Sequence, residues 1–499
     1  MAETQHILLN IDNVLPKGPY QFNKPISLKM YNNENWIVYG HNGSGKTFLM
    51  KTIMSSYILL QGQINYDFSP ATSNKISDNI FYLTFHDQYS SMAGSLYQLR
   101  WNQGLLGELE SEGGSMPKVR DVLNRACKGG KKILTLLENK LDIGELMDKY
   151  IISLSSGEFR RFQIAQTILK NPRLVIIENP YIGLDEENRK QVADFLQEII
   201  RSFPIQIILT VCRMPQDTEA FTHLVYIKNG EVMKIRLTEA KNIDNAALLQ
   251  EVHSARKQVA EGFAQLQRET TYETEKTDDV ILRLNNVSIK YGNRNILKNL
   301  DWEVRKGERW ALHGKNGAGK STLLSIICAD NPQSYRCDVT LLGHKRGTGE
   351  SIWDIKKHIG FVSPEIFRSY RKHIPVENII ASGLYDTIGL YKKIKETDLE
   401  KISTWMKIFG TGQFAKRNYM ELSDGEQRLM LLIRAFVKNP LLLILDEPFH
   451  GMDTPTRQLA REVISQYCLQ RDKTLIMVSH YEEDYPPCIT NHLTLIRHQ

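Results

Sequence analysis

Each half of the chain contains three short runs of consecutive apolar residues, without the polar alternation of a half-exposed strand. The runs are WIVYG (36–40), VIIE (175–178) and IQIILTV (205–211) in the first half, and WALHG (310–314), LLLILDE (441–447) and TLIMVS (474–479) in the second. Such runs are typical of strands buried on both faces of a parallel sheet. Residues 47–54 and 322–329 have helical spacing instead. The pattern therefore predicts an α/β fold with helices on both faces of a sheet.

More polar, helix-favouring stretches lie further along each half, at about 95–150 and 371–419, and they predict a helical subdomain in each. Residues 237–278 join the halves and contain apolar residues at helical spacing. These are Leu248, Val252, Val259, Phe263 and Leu266. The joining segment therefore predicts a helix that packs on one domain. Its last ten residues fit a flexible connector and a plain solvated linker equally well.

Four short motifs occur twice, in the same order and at near-constant spacing. They are GHNGSGKT (40–47) with GKNGAGKS (314–321), LSSGE (154–158) with LSDGE (422–426), NPRLVIIENP (171–180) with NPLLLILDEP (439–448), and GLD (183–185) with GMD (451–453). Such self-similarity predicts one large α/β unit used twice. We place the first domain at 1–236, the linker with its helix at 237–278 and the second domain at 279–499.

Composition excludes several classes of protein. At about 150 residues per domain, 499 residues would suggest three domains, and the repeat reduces this to two. Hydrophobic residues make up 41%, which is globular, and the net charge of +6 does not indicate a nucleic-acid or anionic membrane surface. No apolar run approaches the ~20 residues of a membrane span. The six cysteines form no CxxC pair, and the N-terminus has no signal-peptide pattern, so we expect a cytoplasmic protein without a zinc site or disulfides.

The GxxxxGK[ST] motif is a P-loop, whose glycines let backbone N–H groups turn toward phosphates at the start of a helix. Both copies follow an apolar strand and precede a helix. The lysines would reach the β- and γ-phosphates, and the hydroxyls of Thr47 and Ser321 would bind Mg²⁺. The predicted ATP-binding residues are Gly40, His41, Asn42, Gly43, Ser44, Gly45, Lys46 and Thr47, and Gly314, Lys315, Asn316, Gly317, Ala318, Gly319, Lys320 and Ser321.

The last apolar strand but one of the second half ends in Asp446-Glu447. An aspartate there can hold the Mg²⁺ shell, and the adjacent glutamate can polarise an attacking water. LSDGE (422–426) places small residues and a glycine at the start of a helix, which makes a second N-terminal anion site. The second half thus combines a P-loop, two carboxylates and a second helix start.

Taken together, the P-loop, the LSGGQ-like signature, the Walker B strand, the D-loop aspartate and the switch histidine resemble the ATP-binding cassette (ABC) ATPases, in both halves. The resemblance implies two tandem ABC-type P-loop NTPase domains, each with a RecA-like α/β core and a helical subdomain. It also implies two head-to-tail ATP sites. One would use Lys320, Ser321, Asp446, Glu447 and His480 with Ser155 and Gly157, and the other Lys46 and Thr47 with Ser423 and Gly425. Tyr291, which precedes the second P-loop, matches the adenine-stacking aromatic, although an ordinary strand tyrosine is the alternative.

The first copy departs from the family pattern at its catalytic positions. Glu178 stands where Asp446 does, Asn179 where Glu447 does, and Cys212 where His480 does. An amide cannot act as a general base, so we expect the first P-loop to bind ATP and hydrolyse it poorly unless a neighbouring residue replaces the base. The family's glutamine is also absent: Glu365 could coordinate Mg²⁺ in its place, whereas His86, with Gln88 nearby, has no assigned role.

Three kinds of ABC protein compete as the function. The first is a tandem ATPase without a membrane domain, similar to ModF-type proteins, which are associated with molybdate or photorepair. The second is the ATP-binding subunit of a transporter with separate permeases, and the third a ribosome-associated ABC-F protein. The short linker and the degenerate first copy favour the first kind. We expect ATP and Mg²⁺ as cofactors, permease subunits as candidate partners, no nucleic acid or ribosome, and a monomer located in the cytoplasm or at the inner face of the membrane.

Overall fold

The structure is a computed structural model, and the chain divides into two compact units, Met1–Ile243 and Asp244–Gln499. It describes residues 5–18, 20–85, 117–127, 131–140, 143–151, 154, 156–215, 217–228, 230–242, 259–264, 266, 279–291 and 294–496.

The first unit is built on two sheets. Its strands are β1 (Ile7–Pro16), β2 (Ile26–Tyr31), β3 (Trp36–Gly40), β4 (Leu59–Tyr66), β5 (Ile80–Thr84), β6 (Leu174–Glu178), β7 (Gln206–Val211), β8 (His223–Lys228) and β9 (Glu231–Arg236). The larger sheet has the order β5-β6-β7-β3-β8-β9 and is parallel except for the antiparallel β8–β9 pair. The smaller sheet, β2-β1-β4, is antiparallel.

Helices cover the larger sheet of the first unit. They are Lys46–Ile53, Ile76–Asn79, Val119–Ala126, Lys131–Lys140, Ser156–Ile168 and Glu186–Ser202, with 3₁₀ turns at Gly144–Leu146 and Leu237–Asn242. Every residue of β3 and β7 is buried. Trp36 and Val38 point into one hydrophobic core, and Ile37 and Tyr39 point into another. The predicted burial of this sheet on both faces is therefore confirmed.

The second unit repeats this plan. Its strands are β10 (Val280–Tyr291), β11 (Arg294–Arg305), β12 (Arg309–His313), β13 (Asp338–Leu341), β14 (His344–Lys345), β15 (Ile359–Val362), β16 (Leu442–Asp446), β17 (Thr474–Val478) and β18 (Asn491–Thr494). The parallel sheet has the order β15-β16-β17-β12-β18, and the antiparallel sheet the order β11-β10-β13-β14. The P-loop strand has corresponding neighbours in the two units: β3 lies between β7 and β8, and β12 lies between β17 and β18. The predicted α/β fold is confirmed.

Helices of the second unit cover both faces of its parallel sheet, and those between Pro364 and Cys468 form an apolar cluster on one of these faces. The helices are Lys320–Ile327, Ile352–Lys356, Pro364–Ser369, Val376–Ala381, Glu396–Ile408, Asp424–Phe436 and Thr454–Cys468. The 3₁₀ turns are Pro332–Arg336, Ser382–Leu384, Gly412–Phe414, Tyr419–Glu421 and Glu482–Asp484. Three helices, Val376–Ala381, Glu396–Ile408 and Asp424–Phe436, pack together here through buried residues such as Ile379, Trp405 and Leu432.

The helical part of the joining segment packs on this cluster in the second unit. Val259 and Phe263 are buried there, and Leu266 is partly buried. The rings of Phe263 and Trp405 meet edge to face, with centroids 5.9 Å apart. Leu248, Val252 and the polar residues 267–278 lie outside the described residues.

Gly262 lies where this helix meets the end of the helix Glu396–Ile408. A methyl group on Gly262 would overlap the Cγ1 atom of Ile408, which cannot move far because its Cβ is only 3.4 Å from the same point. We expect Gly262→Ala to lower the free energy of unfolding by about 1–3 kcal/mol through overpacking, although alanine is the better helix former by about 1 kcal/mol. Urea denaturation measures the change. Ala264→Gly, at an exposed position of the same helix, is the control for helix propensity. A Gly262→Ala variant that is more stable than the wild type would contradict the expected overpacking.

Candidate active site

Both P-loops have the backbone that the motif requires. Gly45 and Gly319 begin their helices with φ angles of 95° and 97°, a left-handed conformation that side chains with a Cβ rarely adopt. The ammonium of Lys46 donates to the carbonyls of Gly40 and His41, at 2.6 and 2.8 Å. That of Lys320 donates to the carbonyls of Gly314 and Lys315 in the same way, at 2.5 and 3.2 Å. Each loop therefore presents a cation and a helix N-terminus together, which suits a polyphosphate.

An oxygen donor contacts the first loop, and another ends the corresponding strand of the second unit. In the first unit, the hydroxyl of Thr47 donates to Glu178 at 2.8 Å, and the hydroxyl of Tyr82 donates to the other carboxylate oxygen. In the second unit, Asp446 is buried at the end of β16. Within the described ranges, no three acidic, histidine or cysteine residues cluster so as to hold a metal ion by themselves. Few protein oxygens combined with substrate phosphates suit Mg²⁺, which seldom occupies an all-protein cage.

Glu447 and Asn179 occupy equivalent backbone positions. Their φ angles are 50° and 47°. Glu447 N–H donates to Val478 O at 3.0 Å, and Asn179 N–H donates to Thr210 O at 2.8 Å. The chemistry of their side chains differs, because the Asn179 carboxamide oxygen accepts from the backbone N–H of Cys212 at 3.2 Å and cannot accept a proton from water.

Glu447 has a mostly buried carboxyl group beside His480, with 3.7 Å between Oε1 and the imidazole Nε2. Burial raises the pKa of Glu447 well above its usual range, and the nearby carboxylates of Asp446 and Asp484 raise it further. Lys320 and the backbone N–H of His480 act in the opposite direction on this pKa. Once ionised, a carboxylate with a raised pKa is the stronger base, which is what abstraction of a proton from water needs.

The signature residues that the structure describes lie at the starts of helices. Ser423 is the N-cap of the helix Asp424–Phe436 and forms a capping box with Glu426: the Ser423 hydroxyl accepts from the backbone N–H of Glu426, and the Glu426 carboxylate accepts from the backbone N–H of Ser423. Gly425 is buried within the first turn. Gly157 is buried at the equivalent position, where a Cβ would overlap the carboxamide of Asn188. Ser155 lies outside the described residues.

The remaining predicted residues are only partly placed. Glu365 lies half-buried in the first turn of the helix Pro364–Ser369. Tyr291 ends β10, but the structure does not describe its side chain, so the prediction of adenine stacking stays a prediction. His86 and Gln88 lie outside the described residues.

Comparison with known proteins identifies the family. The sequence model of the ABC transporter family matches residues 23–181 and 297–450. The ABC transporter ATP-binding protein ModF of Escherichia coli is 33% identical over 93% of this chain and 91% of its own length. Uncharacterized ABC transporter ATP-binding proteins are also similar: one of Schizosaccharomyces pombe at 27% identity (93% of each chain), and one of Saccharomyces cerevisiae at 29% (72% of this chain, 71% of that one).

This chain belongs to the ABC family. It carries two ATP-binding cassettes in one polypeptide and is an ABC-type ATPase similar to ModF. In the part of the chain that the structure describes, no helix is both long enough and apolar enough to cross a membrane.

The structure adds two residues that the sequence interpretation of the cassettes missed. Tyr82 holds the carboxylate of Glu178 in the first cassette. Tyr20 lies against the first P-loop, because its ring carbon is 2.7 Å from where a Cβ on Gly45 would stand. An aromatic residue about 20 positions before Gly40 is the one signal that could have drawn attention to Tyr20, since Tyr291 precedes Gly314 by a similar distance.

Proposed function

We propose that the protein binds two ATP molecules and hydrolyses ATP mainly at the site of the second P-loop. The observation that carries the proposal is the pairing of Glu447 and His480 in one cassette with Asn179 and Cys212 at the same positions of the other. Both cassettes keep a phosphate-binding loop, so binding is expected at each. A residue able to take a proton from water is present at this position only in the second.

At the second site, the carboxylate of Glu447 would accept a proton from the attacking water while His480 donates a hydrogen bond to the γ-phosphate. Lys320 would balance the charge that develops on the phosphate oxygens. Mg²⁺ bound with ATP would supply further charge neutralisation, with Ser321, Asp446 and Glu365 as its candidate ligands. Following the family arrangement, Ser155 and Gly157 of the first cassette would complete this site by adding their helix N-terminus.

At the first site, Lys46 would bind the phosphates, and Ser423 and Gly425 would complete the site. Thr47 and Glu178 are the candidate Mg²⁺ ligands. The hydrogen bonds of the Glu178 carboxylate to Thr47 and Tyr82 hold it rigidly, and Asn179 leaves the site without a base. We therefore assign this site to ATP retention, which keeps the cassettes together while the second site turns over.

ATP binding would close the two cassettes, and hydrolysis at Glu447 would reopen them, so that a partner changes conformation. In this proposal the protein is ModF-like and acts in the cytoplasm. The relatives are named ABC transporter ATP-binding proteins, which favours the ATP-binding subunit of a transporter as the second candidate function. Separate permeases at the inner face of the membrane would then be the partners. Pull-down with ATP-trapped Glu447→Gln distinguishes the two, because only a transporter subunit would retain a permease.

Nucleotide analysis tests the asymmetry of the two sites. We expect the wild-type protein, trapped with vanadate during turnover and denatured in acid, to release one ATP and one ADP per chain. The intact ATP comes from the first site, where the base is missing. Chromatography of the released nucleotides measures the ratio, and Glu447→Gln, which should release two ATP per chain, is the control. Release of two ADP per chain from the wild type would contradict the proposal.

A further inference from the structure

Ser479, the residue before His480, leaves the sheet as soon as β17 ends at Val478, and a single side chain then satisfies its backbone. The Tyr485 hydroxyl accepts a hydrogen bond from Ser479 N–H and donates one to Ser479 C=O, both at 3.0 Å. These two backbone groups would otherwise lack the partners that a neighbouring strand provides. The position of the main chain just before His480 is therefore set by a residue that lies six positions later.

The segment that carries Tyr485 is itself anchored. The Ser479 hydroxyl donates to Asp484 at 2.9 Å and accepts from the backbone N–H of Tyr481 at 3.2 Å. The buried Asp484 also accepts from Arg457 at 3.3 Å. Arg461 donates to the backbone carbonyl of Tyr485 at 3.1 Å. Both arginines belong to the helix Thr454–Cys468, so the loop after β17 is fixed to a regular element.

The Tyr485 ring also reaches the strand that leads to the second P-loop. It packs edge to face on His313, the residue before Gly314, with ring centroids 5.2 Å apart. The imidazole of His313 is in turn hydrogen-bonded to that of His492 at 3.0 Å. Burial raises the pKa of Tyr485 to about 12, so the hydroxyl keeps its proton at neutral pH. Tyr485 thus connects the end of β17 with the end of β12.

Among the residues that the structure describes, the first cassette shows no such arrangement at the equivalent position. Val211, which stands where Ser479 does, is still part of β7 and has no hydroxyl. Cys212, which follows it, stands where His480 does. The hydroxyl contacts of Ser479 are therefore described in the cassette that has His480, and the cassette that has Cys212 carries no hydroxyl at this position.

We propose that Tyr485 is a positioning residue for ATP hydrolysis, which holds the main chain before His480 so that the imidazole stays beside Glu447 and the γ-phosphate. This inference rests on the proposed role of His480. Because Tyr485 would act through His480, its removal should lower turnover and leave ATP binding unchanged. Its effect should also disappear once the imidazole is gone.

Tyr485→Phe, which keeps the ring and removes the hydroxyl, is the test in the full-length protein. We expect kcat to fall at least about tenfold, in the range of removing one catalytic hydrogen bond, while the Kd for ATP from calorimetry changes less than twofold. Tyr391→Phe removes the hydroxyl of an exposed tyrosine in the same cassette and should leave both quantities unchanged. In the His480→Ala background, Tyr485→Phe should lower kcat no further, because coupled residues are not additive.

The outcomes separate the inference from the proposed function. If His480→Ala turns over ATP at the wild-type rate, the proposed role of His480 fails and the inference fails with it. If His480→Ala is impaired but Tyr485→Phe retains wild-type kcat, only the inference is overturned. It is also overturned if the two losses multiply in the double variant, or if Tyr485→Phe no longer binds ATP, since Tyr485 would then have a general structural role.

Discussion

Replacing Glu447 by glutamine is expected to lower ATP turnover by about 10²–10⁴-fold, the usual contribution of a general base, and to leave ATP binding intact. Glutamine has almost the same shape and can still accept a hydrogen bond from the backbone N–H of His480. It cannot take a proton from water. Phosphate release in steady state measures the turnover, and calorimetry measures the binding.

The matched control for Glu447→Gln lies at the equivalent backbone position of the other cassette. Asn179→Ala removes a side chain that cannot act as a base, so turnover should stay within about twofold of wild type. Turnover near the wild-type rate in Glu447→Gln would contradict the assignment of the base. A large loss in Asn179→Ala would instead give the first site a direct part in hydrolysis.

The second large effect concerns the two P-loop lysines, which make the same contacts but should not contribute equally to turnover. We expect Lys320→Ala to lower kcat by about 10²–10³-fold, because a charge that stabilises the developing oxyanion is lost at the competent site. Lys46→Ala should chiefly weaken binding of one of the two ATP molecules. Its turnover should recover substantially when ATP is raised to saturation.

Titration of bound nucleotide against ATP concentration, run together with turnover, separates these effects. Lys46→Ala should show one tight and one weak site, and Lys320→Ala should fail to turn over even where both sites are filled. Lys46→Arg and Lys320→Arg, which keep the charge, are the controls for the ammonium itself. If Lys46→Ala abolished turnover at saturating ATP as completely as Lys320→Ala, the first site would do more than retain ATP.

The sequence predicted the parallel sheets well because their evidence is local. Runs such as 36–40 and 205–211 are continuously apolar, and the structure places β3 and β7 there. The antiparallel sheets were not predicted. β1 carries register shifts between Ile7 and Leu9 and between Ile11 and Val14, which disrupt the alternation that a half-buried strand would otherwise show.

The residues of the candidate site also differ in whether the sequence could predict them. P-loops and signature motifs lie within a few consecutive residues, so their sequence patterns are visible. Tyr82 reaches Glu178 across 96 positions of the chain, and that contact exists only because β5 pairs with β6. Tyr485 is close to His480 in sequence, but its contact with the Ser479 backbone depends on how the loop after β17 folds back. No sequence pattern predicts either contact.

The left-handed backbone at Glu447 and Asn179 bears on why one cassette of a tandem pair can carry asparagine where the other has a glutamate. Asparagine tolerates this conformation, whereas a glutamate held there costs on the order of 1–3 kcal/mol. A glutamate at this position also places a carboxyl group in a buried environment. A change from glutamate to asparagine would therefore relieve two costs at once and keep the same backbone hydrogen bond. If one site of a tandem ATPase is not required to hydrolyse ATP, folding stability favours asparagine at this position. A return to glutamate would lower the free energy of unfolding, so such a site would continue to bind nucleotide without hydrolysing it.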